Sequence, residues 1–402
     1  MKILFVNPHL KMGGIANSLY NLLSELQKNN QYTLELVCFN PYFGEKFDSL
    51  NHTVKVHAPF FLKCLYISFK EAKKHLPWYL LAVYLLVKPI SKVIGDKGSR
   101  KIAMRYFYGN WNKKTEYDAA ISFSNDIPRT DAVLGANDFV LTSVKAKQKI
   151  AWIHNDLDKL GFTREYILER YRNFDKVVSV SKSCKEDFDG LAPEFAAKSY
   201  LVHNYIDPNV IIEKAKAFNP YLDKEDHVIF VTVARIENTQ KRIDRIIKIA
   251  KELKEKQYAF KWYIIGDGPD LEALKTQATS YGLKNNMVFK GFQQNPYPYI
   301  KNADCFVLSS AYEAQGMVLS EAIMLSTPVI TTDFPAAKEF VIANVNGEIV
   351  GNNTDALLRG VEAFIQNPDT LVKLRKQVEI ENATNAIATN DSIEEFKLIL
   401  TT

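Results

Sequence analysis

The sequence predicts an α/β protein of two domains, each built on a parallel sheet. Three observations carry this. The chain opens on a strand, a glycine turn, a helix-spaced apolar stripe and a second strand. The same rhythm restarts after a polar, proline-terminated junction near residue 205. And 402 residues, 47% apolar and 24% charged, suffice for two cores of ordinary size.

In the first half, Lys2 to Asn7 reads as a strand. The N-terminal MKILFVNPHL turns polar too soon for a signal peptide and is read as this first strand. Met12-Gly13-Gly14 is a tight turn, and Ile15, Leu19, Leu22, Leu23 and Leu26 fall at helical spacing before a strand at Leu34 to Phe39. A βαβ opening of this kind places ligand loops at the C-terminal ends of its strands. Gly13 and Gly14 either let the backbone approach a ligand or serve a turn of positive φ; spacing alone does not choose. Further strands are expected at Ala119 to Phe123, Lys149 to Ile153, Lys176 to Val180 and Tyr200 to Val202, with Ser181 capping the helix after the third. His154 ends a strand, where ligands usually sit, although a histidine there is more often a satisfied structural group. No second ligand stands at a metal-binding spacing from it, and Asp156 reads as a cap. His203-Asn204-Tyr205-Ile206-Asp207-Pro208 reads as the interdomain linker.

Residues 59–114 interrupt this rhythm. They carry twelve Lys/Arg against two acids, Glu71 and Asp96, so the net charge of +5 hides a basic segment in an otherwise acidic chain. Aromatic residues (Phe60, Phe61, Tyr66, Phe69, Trp78, Tyr79, Tyr84, Tyr106, Phe107, Tyr108, Trp111) alternate with Lys63, Lys70, Lys73, Lys74, Lys88, Lys92, Arg100, Lys101 and Arg105. The apolar run Leu76 to Val87 is too short for a span of about 20 residues. Basic, aromatic helices of this type lie on anionic membrane surfaces, and the plainer reading is an inserted helical pair with a solvated lysine face. Nucleic acid is not expected as a partner, because no recognition module accompanies the charge.

The second half repeats the α/β pattern. Val228 to Val233 is a strand, Arg235 to Gln240 its loop, and Ile243, Ile246, Ile247, Ala250 and Leu253 mark a helix face. Lys261 to Ile265 leads into Gly266-Asp267-Gly268-Pro269, which lacks the third glycine of a dinucleotide fingerprint. Met287 to Lys290 precedes Gly291-Phe292. The stretch Cys305 to Asp333 then holds two apolar strand runs, the turn Ser309-Ser310-Ala311-Tyr312, a helix over Gly316 to Leu325, and two carboxylates, Glu313 and Glu321, separated by seven residues. The unpaired first amides of a helix suit an anion, and flanking carboxylates suit hydroxyls, which together are the demands of a sugar nucleotide. Arg235 and Lys241 follow the first strand, where a planar fork and a point charge suit a diphosphate. Ser392 to Leu400 reads as a final helix. The four cysteines, Cys38, Cys64, Cys184 and Cys305, form no close pair and read as buried free thiols of a reducing cytoplasm.

These features together resemble a retaining GT-B glycosyltransferase of family 4 (glycosyl transferases group 1). The matching residues are Met12-Gly13-Gly14-Ile15, His154, Asn204-Tyr205-Ile206-Asp207, Arg235 with Lys241, Gly266-Asp267-Gly268-Pro269, Gly291-Phe292, and Glu313 through Glu321. The resemblance covers nearly the whole chain and is strongest from Val231 to Val350. It implies two Rossmann-like domains facing a central cleft: an acceptor domain over 1–204 with the helical insertion 59–114, a nucleotide-sugar domain over 205–385, and a final helix over 386–402 crossing back to the first domain. It implies that Arg235 and Lys241 bind the donor diphosphate, Glu313 the sugar and Glu321 the ribose. Gly316, Met317 and Val318 would offer amides, with Gly266 also at the donor site. Gly13 and Gly14 would close over the phosphates, and His154 would sit near the transferred sugar. Catalysis would rest on His154, Arg235, Lys241 and Glu313.

The implied activity is hexose transfer from a nucleoside-diphosphate sugar, a UDP-sugar by expectation, to a saccharide acceptor with anomeric retention and without a metal or other cofactor. The expected setting is capsule, exopolysaccharide or teichoic acid assembly on a lipid-linked acceptor, in the cytoplasm at the inner face of the cell membrane. A non-catalytic GT-B partner, a nucleotide-sugar epimerase and a protein glycosyltransferase are the alternatives. Three departures stand out: Ala314-Gln315 where relatives often have glycine with Phe or Pro, one extra position between Arg235 and Lys241, and Arg242 where glycine is common.

Overall fold

The computed structural model describes residues 1–402 apart from 11–12, 43–44, 51–52, 96–97, 100–101, 104, 106–107, 109–114, 129–134, 223–225, 385–388 and 402. Met12, Asp96, Arg100, Lys101, Tyr106, Phe107 and Trp111, singled out above, lie outside the described residues. The chain divides into two units, Met1–Tyr205 with Ser392–Thr402, and Ile206–Asp391.

The first unit is a seven-stranded parallel sheet: β1 Lys2–His9, β2 Thr33–Asn40, β3 Val54–His57, β4 Tyr117–Ser122, β5 Ala146–Ile153, β6 Lys176–Ser179 and β7 Ser199–Leu201, in the order β3-β2-β1-β4-β5-β6-β7. Its central strands are buried on both faces, so they read as continuous apolar runs. β4 and β5 start earlier than their apolar runs. Asp118 accepts from the backbone N–H of Lys2 at 2.7 Å and from Lys147 Nζ at 2.6 Å, so polar residues extend these strands. β3 was not anticipated; Val54-Lys55-Val56-His57 is a short edge strand with half its positions polar. Ser181 caps Lys182–Leu191 by accepting from Cys184 N–H. The final helix, Thr389–Thr401, packs on this unit. Phe396 lies 6.2 Å from Phe5 and 5.9 Å from Trp152, and Lys176 Nζ donates to the Ile399 carbonyl at 2.5 Å, satisfying a helix-end acceptor.

Over residues 60–94 the basic insertion forms Phe60–Tyr66, Phe69–His75 and Trp78–Ile94, so it is more than a helical pair. Ser68 and Glu71 make a reciprocal capping box that starts the second, and Pro77 precedes the third. No helix among the described residues is long and apolar enough to cross a membrane.

The second unit is a six-stranded parallel sheet: β8 Val228–Val233, β9 Phe260–Ile265, β10 Met287–Gly291, β11 Cys305–Leu308, β12 Val329–Thr332 and β13 Gly347–Val350, in the order β10-β9-β8-β11-β12-β13. The helix Ile243–Glu255 buries Ile243, Ile246, Ile247, Ala250 and Leu253 against one face of it. Asp207 caps Pro208–Ala215 at the unit's start. All four cysteines are free and buried.

Candidate functional site

Each sheet has one point where successive strands leave in opposite directions, β1/β4 in the first unit and β8/β11 in the second. Loops at the C-terminal ends of such a strand pair diverge and leave a crevice for ligands.

In the second unit the connection after β8 carries Arg235 and a single helical turn, Asn238–Lys241, with Gln240 and Lys241, and the loop after β11 carries Ser309 to Gln315. The two are laced together. Ala311 N–H donates to the Gln240 carbonyl at 2.7 Å, and Ser309 Oγ donates to the carbonyls of Lys241 at 2.7 Å and Arg242 at 3.1 Å. At the centre Lys241 Nζ pairs with Glu313 Oε1, both side chains being largely buried at 15% and 10% exposure. Glu313 also accepts from Ser310 Oγ at 2.7 Å and Gln240 Nε2 at 3.3 Å. The two residues assigned separately to diphosphate and sugar therefore hold each other. Arg235 extends outward, 72% exposed, with Nε 3.4 Å from Glu237.

Behind this pair stand residues the sequence did not single out. Buried Arg245 donates to the Ser309 carbonyl at 3.3 Å and to Asn352 Oδ1 at 2.7 Å, while Asn352 Nδ2 donates to the Ala311 carbonyl at 2.8 Å. Thr332 Oγ1 donates to the Ser310 carbonyl at 2.5 Å. These contacts join positions up to 107 residues apart, so no local pattern announces them. Arg242 adopts the left-handed conformation, φ 52° and ψ 43°, at the start of Ile243–Glu255. That explains why glycine suits this position; here Arg242 instead makes a two-point contact with Asp244 at 3.0 and 3.1 Å.

Gly316 caps Met317–Met324 at φ 77°, ψ 47°, a conformation glycine reaches without strain. The helix begins one residue later than expected. The first amides, from Met317 and Val318 onward, are the unpaired donors of this helix start. Glu321 lies in the same helix, beside Tyr297. Burial, and the Glu321 carboxylate to which its hydroxyl hydrogen-bonds, push the Tyr297 phenol upward. Gly266 has a packing role of its own. At φ 140°, an added Cβ would sit 1.8 Å from the Ala234 carbonyl oxygen, so glycine lets the loops after β8 and β9 touch.

In the first unit, Gly13 is extended at φ 170° and Gly14 begins the helix Gly14–Leu26. Neither needs positive φ, and a Cβ on Gly14 would meet nothing within 4 Å, so a turn requirement does not explain the pair. His154 follows β5 and is 8% exposed, against Phe123 at 4.6 Å and Trp152 at 6.2 Å. Burial drives its pKa down to about 3, only partly opposed by its hydrogen bond to the Phe123 backbone, so the ring is neutral. Nε2 is buried without a hydrogen-bond partner, which leaves Nδ1 as the donor and Nε2 as a bare acceptor. Asn125, also unanticipated, holds this strand end: its Oδ1 accepts from His154 N–H at 3.0 Å and Asn155 Nδ2 at 2.9 Å. Asp156 accepts from Lys159 N–H at 3.0 Å, the capping role expected of it. Among the described residues no group of three or more His, Cys, Asp or Glu could hold a metal ion.

Comparison with known proteins adds a family match within the second unit. Residues 213–383 match the family "Glycosyl transferases group 1". The chain is 28% identical over 198 residues to an uncharacterized glycosyltransferase, MJ1059, of Methanocaldococcus jannaschii, covering 46% of this chain and 48% of that one. It is 23% identical over 260 residues to the poly(ribitol-phosphate) alpha-N-acetylglucosaminyltransferase of Staphylococcus aureus, covering 61% and 50%. The chain thus spans about half the length of these relatives. The crystal structure of Anabaena Alr3699/HepE in complex with UDP and glucose superposes with a TM-score of 0.69 at 16% identity, over 98% of this chain and 99% of that one. At that identity the likeness is one of fold, and the fold is GT-B.

Proposed function

We propose that this protein is a retaining glycosyltransferase that moves a hexose from a UDP-sugar to a saccharide acceptor. The observation that carries the reading is the Lys241–Glu313 pair at the β8/β11 strand ends, with Arg235 in the same loop and a helix N-terminus after the other. Support comes from the match of residues 213–383 and from relatives whose names describe glycosyl transfer. The UDP and glucose bound by a protein of the same fold favour that donor class.

In this reading the bond from the anomeric carbon to the diphosphate oxygen breaks and a bond to the acceptor hydroxyl oxygen forms on the same face. The departing UDP takes the acceptor's proton, which balances the step as UDP plus glycoside. Arg235, Lys241 and the amides of Gly316, Met317 and Val318 stabilise the charge growing on the diphosphate, the largest kind of catalytic contribution in transfer reactions. Glu313 grips sugar hydroxyls and Glu321 the ribose, with Gly266 holding the loop beside them. In this reading His154 lies near the transferred sugar as a neutral ring, and the Gly13-Gly14 turn serves the phosphates.

Protein cations do the work of a metal here. Activity unchanged in EDTA is expected; loss in EDTA with recovery on manganese overturns that part. The acceptor is a lipid-linked saccharide of a cell-surface polymer, and the basic segment 59–114 holds the protein at the anionic inner face of the membrane. A screen of UDP-sugars for thermal stabilisation and for UDP release tests the core claim. Absence of both across the common hexoses favours a non-catalytic GT-B partner. Product analysis separates transfer from epimerisation and from protein modification.

A further inference from the structure

The helix Trp78–Ile94 is turned inside out for a helix that faces water. Its inward side carries Leu80, Leu81, Tyr84 and Val87 against the small cluster of Cys64, Ile67, Ala72 and Leu76. Two polar groups of the helix, Lys88 and Ser91, turn inward as well. Lys88 Nζ donates to the carbonyls of Leu65 at 2.8 Å and Ile67 at 3.3 Å, and Ser91 is buried. The outward side is apolar: Trp78 is 82% exposed, Leu86 69% and Val93 89%, with Leu85 and Ile90 also out. Trp78, Leu85, Leu86, Ile90 and Val93 recur at helical intervals and form one stripe. An amphipathic helix on a water-facing surface shows the reverse pattern, and a continuous exposed stripe marks an interaction surface.

Charge identifies what covers it. Lys70, Lys73 and Lys74, on the neighbouring helix Phe69–His75, are exposed, and so is Lys92. The acid nearest in sequence to Lys70, Lys73 and Lys74, Glu71, is already engaged, accepting from Ser68 N–H at 2.6 Å and Asn40 Nδ2 at 3.3 Å. An apolar stripe accompanied by exposed lysines, with Trp78 and Tyr79 at one end, has the chemistry of an anionic lipid interface. Acyl chains take the stripe, headgroups take the lysines, and the amphipathic rings sit at the boundary. The 17-residue helix is about 25 Å long at about 1.5 Å per residue, short of the hydrocarbon thickness, so it fits lying in the plane.

We propose that Trp78–Ile94 is an in-plane anchor. Trp78, Leu85, Leu86, Ile90 and Val93 enter the acyl boundary of an anionic bilayer, while Lys70, Lys73, Lys74 and Lys92 meet its headgroups. This rests on the membrane reading above and names the face that performs it.

The test is flotation of the full chain with phosphatidylcholine vesicles with and without phosphatidylglycerol. Wild type is expected to float with the anionic vesicles. The double variant Leu86→Glu/Val93→Glu is expected to lose at least about tenfold in binding, as burial of two aliphatic side chains is forfeited. Its melting temperature should stay at the wild-type value, because both side chains are exposed. Lys73→Gln/Lys74→Gln should reduce binding to anionic vesicles only. Brominated lipids should quench tryptophan emission in wild type and less in Trp78→Phe. If wild type ignores both kinds of vesicle, the membrane reading and the anchor both fall. If it floats and Leu86→Glu/Val93→Glu floats equally well, the anchor falls and the membrane reading stands. A dimer that this double variant dissociates, without vesicle binding, shows that a second copy covers the stripe and overturns the proposal.

Discussion

The strand ends of the two units solve opposite electrostatic problems. After β8 and β11, charged groups are gathered and tied: Lys241 to Glu313, Arg245 to Asn352, Arg242 to Asp244. After β5, one titratable ring is buried among aromatics, kept neutral, and left with a bare nitrogen. The contrast teaches that one unit is equipped to answer negative charge with cations and amides. The other holds a titratable ring in its neutral form, because burial among aromatics penalises its charged state.

Four experiments break or sharpen that contrast. The largest effect is expected at the charged end. On the proposed function, Lys241→Ala should lower kcat by about 10²–10³, equivalent to about 3–4 kcal/mol, by removing the cation proposed for the transition state and stranding the Glu313 carboxylate. Steady-state rates with a UDP-sugar decide this; a change confined to KM breaks the assignment. Next comes the packing that brings the β8 and β9 loops together. Gly266→Ala should cost about 2–4 kcal/mol of stability, read as a lowered melting temperature, since its Cβ would stand 1.8 Å from the Ala234 oxygen.

The neutral end predicts a pH dependence. His154 titrates near 3 when folded and at its ordinary value near 6.5 when unfolded. Above 6.5 neither state holds the proton and the residue adds no slope. Between 6.5 and 3 only the unfolded state binds it, so stability falls as pH falls, by up to about 1.4 kcal/mol per pH unit. Denaturation midpoints of wild type and His154→Phe across pH 4 to 8 should differ in that slope; parallel curves would refute the buried neutral ring. The smallest effect is expected at Arg242→Gly. Relief of the left-handed conformation and loss of the Asp244 contact nearly cancel, leaving stability within about 0.5 kcal/mol by urea titration.

Much of the architecture was legible because strands buried on both faces are continuous apolar runs. β8 coincides with its expected bounds for this reason. β3 escaped because edge strands need only one buried face, and the early parts of β4 and β5 because polar side chains there pair across the sheet. In the insertion, Ser68 and Pro77 mark helix starts that a reading as one helical pair passes over. Arg235, Lys241, Glu313 and Glu321 were visible as residue types at telling places. Asn125, Arg245 and Asn352 were not, because an amide or a buried arginine inside an ordinary stretch carries no period and no spacing.

By itself, then, the amino-acid order determined which segments are strands, which are helices, and which loops hold charge, since these follow from periodicity and composition over a few residues. Only the tertiary structure decided who partners whom. It paired Lys241 with Glu313 across 72 positions, withdrew a hydrogen-bond partner from His154, and turned the apolar stripe of Trp78–Ile94 outward. Each of these depends on packing and on the dielectric it creates, which a linear chain does not contain until it folds.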